Sequence, residues 1–141
     1  MGTRSLTKFQ KDGETLVAIY RQYDGYPEVV GKEIFNFLNS ITMVNGIPCN
    51  GNDGVRYANG VGCLAAQFIA DNKYGAGGLY ITGPEDSQEF NYTINYPIKG
   101  MGYGDPIITV DGEYEDLFFS GSIEEFKNFI DSFSNEENEV A

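Results

Sequence analysis

The residues best placed to do chemistry lie close to the start of the chain: Arg4, Arg21 and Asp24, with Tyr20, Tyr23 and Tyr26 around them. Two strand-like runs, Arg4 to Gln10 and Thr15 to Gln22, flank Lys11-Asp12-Gly13-Glu14, and Asp-Gly is a strong signal for a two-residue hairpin turn. With Asp12 and Gly13 as the turn, Leu6 faces Ile19, Phe9 faces Leu16 and Arg4 faces Arg21. Like charges directly opposite on a sheet repel, so something must offset them. Two readings stay open. In one, Asp24 bridges both guanidinium groups as an Arg4–Asp24–Arg21 salt bridge that pins the hairpin to the next helix. In the other, the arginines jointly hold an anion, helped by the N–H groups opening a helix at Glu28, with Tyr20, Tyr23 and Tyr26 as flat amphipathic walls.

Other chemistry is excluded by what is missing. The sequence has no histidine, which removes Ser-His and Cys-His nucleophile pairs and His-ligated zinc. Cys49 and Cys63 cannot form a zinc site alone; Cys63 reads as core on an apolar helical face and Cys49 as a loop thiol. Asn50, Asn52 and Asp53, or Asp111, Glu113 and Glu115, offer oxygens, but neither set matches an EF-hand loop. The reading therefore assigns no metal and no cofactor. Gly75-Ala-Gly-Gly78 precedes a strand where a phosphate loop would open a helix, and Gly100-Met-Gly-Tyr-Gly104 reads as a loop.

The elements that must position these residues follow from periodicity. After the hairpin, Pro27 opens a helix over about 28–40 with Val30, Ile34, Phe37 and Leu38 as its apolar face. A polar, Gly- and Asn-rich loop fills 41–60. A second helix over about 60–73 places Val61, Leu64, Ala65, Phe68 and Ile69 on one side. Strands follow at 79–82, 89–96, 107–110 and 114–119; Phe90, Tyr92, Ile94 and Tyr96 alternate with Asn91, Thr93 and Asn95, so one sheet face is wet. Ser122-Ile-Glu-Glu125 is a capping box opening a last helix with Ile123, Phe126, Ile130 and Phe133 inward. The order ββ-αα-ββββ-α predicts a single α+β domain over 1–133, with an antiparallel sheet, an N-terminal hairpin and about three helices, and an acidic solvated tail over 134–141. The same order is similar to the layered N-terminal-nucleophile hydrolases in reduced form, although removal of Met1 would expose Gly2, which has no nucleophile.

Charge is segregated. The 141 residues carry a net charge of −12, and residues 1–70 balance at six basic and six acidic side chains. All the excess negative charge thus falls in 71–141, which argues against that half binding a nucleic-acid backbone. It leaves an acidic surface, with Asp111, Glu113, Glu115 and Asp116 as candidate contacts, open to a basic protein partner. No run of eighteen apolar residues is present and the start lacks an apolar signal-peptide core, so the expected location is the cytoplasm.

Met1-Gly-Thr-Arg-Ser-Leu-Thr7 and Tyr20-Arg-Gln-Tyr-Asp-Gly-Tyr-Pro27, the latter followed by Gly31-Lys32, together resemble a group of small uncharacterised proteins of bacteria and their viruses. Those proteins open with Met-Gly-Thr-Arg and carry an aromatic-Asp-Gly-Tyr-Pro segment before a helix; where they often have Gly two residues after the Pro, this chain has Val29. The resemblance covers about the first forty residues and implies a phage or bacterial accessory protein, without assigning chemistry. The sequence as a whole points first to a non-catalytic accessory protein that meets a macromolecular partner through its acidic C-terminal half, active in host cytoplasm if viral. The second reading is a protein binding a small anionic ligand, or an enzyme acting on one, at Arg4, Arg21, Tyr23, Asp24 and Tyr26. Self-association is compatible with both.

Overall fold

The computed structural model describes residues 2–46, 54–113 and 116–140, with side chains described as far as 133. The chain opens with strands β1 (Ser5–Lys11) and β2 (Glu14–Arg21). Asp12 and Gly13 turn between them with φ of 49° and 85°, the doubly positive geometry that Asp-Gly favours in two-residue hairpins. Beside the turn, Lys11 pairs with Glu14 and Gln10 with Thr15; then a bulge shifts the register, so that Phe9 faces Val17, Thr7 faces Ile19 and Ser5 faces Arg21. The uninterrupted register, with Leu6 opposite Ile19, Phe9 opposite Leu16 and Arg4 opposite Arg21, is therefore corrected. The physical reason lies in the apolar run Leu16–Tyr20, which can offer either alternate set to the core. The bulge gives the core Val17 and Ile19 on the same face as Phe9, and leaves Leu16 outside at 46% exposure.

The chain continues through a π-helical turn at Pro27–Gly31 into helix α1 (Lys32–Asn39). Short strands β3 (Thr42–Val44) and β4 (Tyr57–Asn59) pair in parallel within the stretch that the sequence presents as a loop. Helix α2 (Gly60–Asn72) and strands β5 (Leu79–Thr82) and β6 (Phe90–Tyr96) follow. A small hairpin, β7 (Ile98–Lys99) and β8 (Gly102–Tyr103), then precedes β9 (Ile107–Asp111), β10 (Phe119–Gly121) and helix α3 (Ile123–Val140). The capping box closes α3 at its start: Glu125 N–H donates to Ser122 Oγ at 3.2 Å, and Ser122 N–H to Glu125 Oε1 at 3.0 Å. Hydrogen bonding to the Ser122 backbone N–H, and then to its side chain, holds the Glu125 carboxyl below its ordinary pKa. The α3 backbone stays helical through Val140, across most of the stretch read from sequence as a tail.

The main sheet has the order β10-β9-β6-β1-β2-β5, giving an α+β domain. It is mixed: β1 and β6 run parallel, from Ser5 beside Phe90 to Lys11 beside Tyr96, while the other neighbouring pairs are antiparallel. A parallel pair needs a long crossover, and here the chain from β2 to β6 supplies it with α1 and α2 on one face. That face carries the core, in which Phe9, Ile19, Tyr92, Ile94, Ile108 and Val110 are fully buried against Phe68, Val30, Ile34 and Phe126. The opposite face is polar at Lys8, Gln10, Thr93, Asn95 and Thr109. The connection from β5 back to β6 returns on that side. There Asn91 Nδ2 donates to Ser87 Oγ at 3.0 Å and Asp111 Oδ1 at 2.9 Å. Among the described residues no helix is long and apolar enough to cross a membrane.

Candidate functional site

The bulge decides where the chemistry sits. By shifting β2 one residue, it places Arg21, the last residue of that strand, on the helix-bearing face opposite Ser5. Its guanidinium lies over the ring of Phe68 from α2, 5.5 Å from the centroid, and Nη1 donates to Glu33 Oε2 in the first turn of α1. The Arg21 side chain is only 11% exposed, against 39% for Glu33. The other two nitrogens, Nε and Nη2, have no hydrogen-bond partner and are closed to solvent. Their N–H bonds form the parallel fork that fits both oxygens of a carboxylate or phosphate. On the same face of β1, Ser5 Oγ and Thr7 Oγ1 are also buried without partners. Unpaired buried donors and acceptors each cost about 1–3 kcal/mol, so the two free Arg21 nitrogens favour a partner that completes them.

Above Arg21 opens a cleft of about 250 Å³. Its walls include Tyr23, Asp24, Glu33, Asn72, Tyr74 and Leu79. Asp24 is held at φ 59°, a left-handed conformation that Asp tolerates better than most residues, and its carboxylate is exposed. Asn72 Nδ2 donates to the α2 carbonyl of Phe68 at 2.8 Å, leaving Oδ1 as an acceptor. Tyr74 is 83% exposed on the rim.

Of the ligand residues singled out from sequence, the structure brings Arg21, Tyr23 and Asp24 to this cleft and leaves out two. Arg4 is exposed on the opposite side of β1, and Tyr26 packs against Phe90, with ring centroids 6.1 Å apart. No ion pair joins Asp24 to Arg4 or Arg21, so neither a two-arginine clamp nor an Arg4–Asp24–Arg21 bridge forms. The partner of Arg21 is Glu33, which the sequence reading missed. Its signal was there: an acid three residues after Val30 and four before Phe37 flanks the apolar stripe of α1 and is carried to the edge of the core.

The candidate partner-binding acids are dispersed in role. Asp111 is half-buried with its carboxylate accepting from Asn91, Glu113 is exposed with its N–H bonded to Gln88 O, and Asp116 is exposed. Glu115, Cys49 and the Asn50–Asn52–Asp53 set lie outside the described residues. Among the described residues no group of three or more His, Cys, Asp or Glu is placed to hold a metal. Cys63 is exposed on α2, with Sγ 3.4 Å from Gln67 Oε1, which corrects its reading as core. It stands one position off the Val61–Leu64–Ala65–Phe68 stripe that packs on the sheet.

The segment that delivers Tyr23 and Asp24 is fixed by the chain start. Gly25 N–H donates to Thr3 O at 3.0 Å, and the buried Tyr92 hydroxyl donates to Gly25 O at 2.7 Å. A Cβ on Gly25 would lie 2.7 Å from Ser5 Cβ, and one on Gly2 would lie 2.2 Å from Tyr23 Cδ1. The Gly2-Thr3-Arg4 and Gln22–Gly25 stretches thus pack on one another without room for side chains at these glycines. Gly25→Ala should therefore destabilise the protein by about 1–3 kcal/mol through overpacking. Gly62→Ala, in α2 with nothing within 4 Å of the added Cβ, should stabilise it by about 0.4–1 kcal/mol. Urea midpoints of the two variants compare them directly; equal shifts would contradict this account of Gly25.

Comparison with protein-family models, with curated proteins and with solved structures finds no match to this chain.

Proposed function

We propose that this protein binds a small anionic ligand, with Arg21 as the recognition cation in the cleft between the end of β2 and the first turn of α1. The observation that carries the reading is the state of Arg21: a side chain almost wholly buried, stacked on Phe68, with Nε and Nη2 unpaired. Glu33 holds the remaining Nη1 and is itself well exposed, so turning its carboxylate outward bares Nη1 to the cleft, and an incoming anion reaches the guanidinium from its Nη1–Nη2 end. The acidic C-terminal half, read as a surface for a basic protein, is the competing function. The cleft is preferred because the Asp111 carboxylate already serves Asn91 within the fold.

Calorimetric titration at low salt with acetate, benzoate and inorganic phosphate tests this. The wild type should bind at least one of them. Arg21→Lys keeps the charge and loses the fork, so it should weaken that binding at least tenfold while circular dichroism confirms a native fold. Tyr74→Ala, on the exposed rim, should weaken binding with no loss of stability. Unchanged affinity in a folded Arg21→Lys protein would overturn the reading.

A further inference from the structure

The charge around Arg21 narrows the ligand beyond "anionic", and this step rests on the reading just given. Two carboxylates, Asp24 and Glu33, share the cleft with a single cation, and Asn72 Oδ1 adds a neutral acceptor. The cleft is therefore net negative. A phosphate or polyphosphate, dianionic or more, would meet two like charges for one opposite charge. The volume points to a small ligand: about 250 Å³ falls below the ~300–1,000 Å³ typical of sites for drug-sized molecules. What matches one buried fork donor beside several acceptors is a molecule carrying both signs. The aromatic faces of Tyr23 and Tyr74 suit an apolar or aromatic substituent and favour a nearby cation.

The geometry points to a zwitterionic amino-carboxylate as the ligand class, its carboxylate on the Arg21 guanidinium in the place that Glu33 gives up and its ammonium shared by Asp24 and Glu33. Glu33 then has two duties. With the cleft empty it neutralises Arg21; with ligand present it exchanges Arg21 for the ligand's ammonium, and no charge is left buried alone at either stage.

Three probes of one shape separate the possibilities: L-phenylalanine, 3-phenylpropionate, which lacks the amine, and 2-phenylethylamine, which lacks the carboxylate. Titrated into the full chain at pH 7 and low salt, L-phenylalanine should bind at least tenfold more tightly than either analogue. Asp24→Asn should weaken L-phenylalanine several-fold and leave 3-phenylpropionate as tight or tighter, because the side chain is exposed and the fold does not depend on it. Glu33→Gln should likewise tighten 3-phenylpropionate by removing its competitor for Arg21. Equal affinities for L-phenylalanine and 3-phenylpropionate, both lost in Arg21→Lys, would overturn the amino-carboxylate class and leave anion recognition standing. Tight 2-phenylethylamine binding that ignores Arg21→Lys would overturn both. Absence of binding by all three probes overturns the class, while the acetate, benzoate and phosphate titrations decide anion recognition separately.

Discussion

Phe68→Ala should cost about 3–5 kcal/mol, the range for removing a fully buried aromatic ring. Phe68 has no exposed surface; its ring meets Phe9 from the sheet at 5.4 Å and Phe37 from α1 edge-on at 5.2 Å, and it carries the Arg21 guanidinium on its face. Truncation therefore opens a cavity where strand, helix and site converge. For a chain of this length the melting temperature should fall by roughly 10–20 °C. Phe68→Leu divides the two roles of the ring. It keeps most of the volume, at a cost of about 1–1.5 kcal/mol in packing, but gives Arg21 no π face, an interaction worth about 0.5–2 kcal/mol. Anion affinity should then drop in a protein that still folds and melts above the Phe68→Ala variant. A Phe68→Leu protein that binds as tightly as wild type would show that the stacking does not orient Arg21.

Alkaline pH should unfold the protein steeply. Tyr92 is fully buried and Tyr96 is 4% exposed, and burial raises the pKa of both phenols above the usual tyrosine value. Glu28 adds to the effect at Tyr92 and Asp105 at Tyr96, since a nearby carboxylate disfavours a phenolate. In the unfolded chain both phenols ionise near pH 10. Above that pH the unfolded state has released protons that the native state still holds, so stability declines as pH rises, and below it these groups contribute no slope. The decline should approach about 1.4 kcal/mol per pH unit for each tyrosine, or about 2.7 for the two together. Urea midpoints between pH 8 and pH 11 measure it. Tyr96→Phe should halve the slope. Tyr92→Phe should do the same and also cost about 1–3 kcal/mol at neutral pH, because Gly25 O loses its buried donor. A flat profile across that range would contradict the assignment.

The elements that repeat a simple period were legible in the sequence. The Phe90–Tyr96 alternation, the stripe of α2 and the Ser122–Glu125 box each state one local preference, and nothing distant competes with it. The site was legible in part, for a physical reason. Pairing read from the Asp12-Gly13 turn is right beside the turn and one residue off beyond Phe9, because a bulge is selected by what the far face must bury. That single step separates Arg4 from Arg21 and hands Arg21 to Glu33. Asn72 and Tyr74 reach the cleft only through the crossover that brings the end of α2 beside β2, a long-range arrangement with no local signature. The parallel β1–β6 pairing was hidden for the same reason: alternation identifies a strand and is silent about its neighbour.

That pairing also orders events in time. β1 is made well before β6, and it sits in the middle of the sheet, with β2 on one side at once and β6 on the other only after both intervening helices exist. Until Phe90 arrives beside Ser5, the nascent hairpin holds an open strand edge, with Phe9 and Ile19 ready to stick to other chains. Closing so distant a contact makes folding slow relative to a meander of the same size. The cleft inherits this schedule: Arg21 waits at the end of β2 for Glu33 and Phe68, and the sheet beneath it becomes continuous only when the second half of the chain folds back.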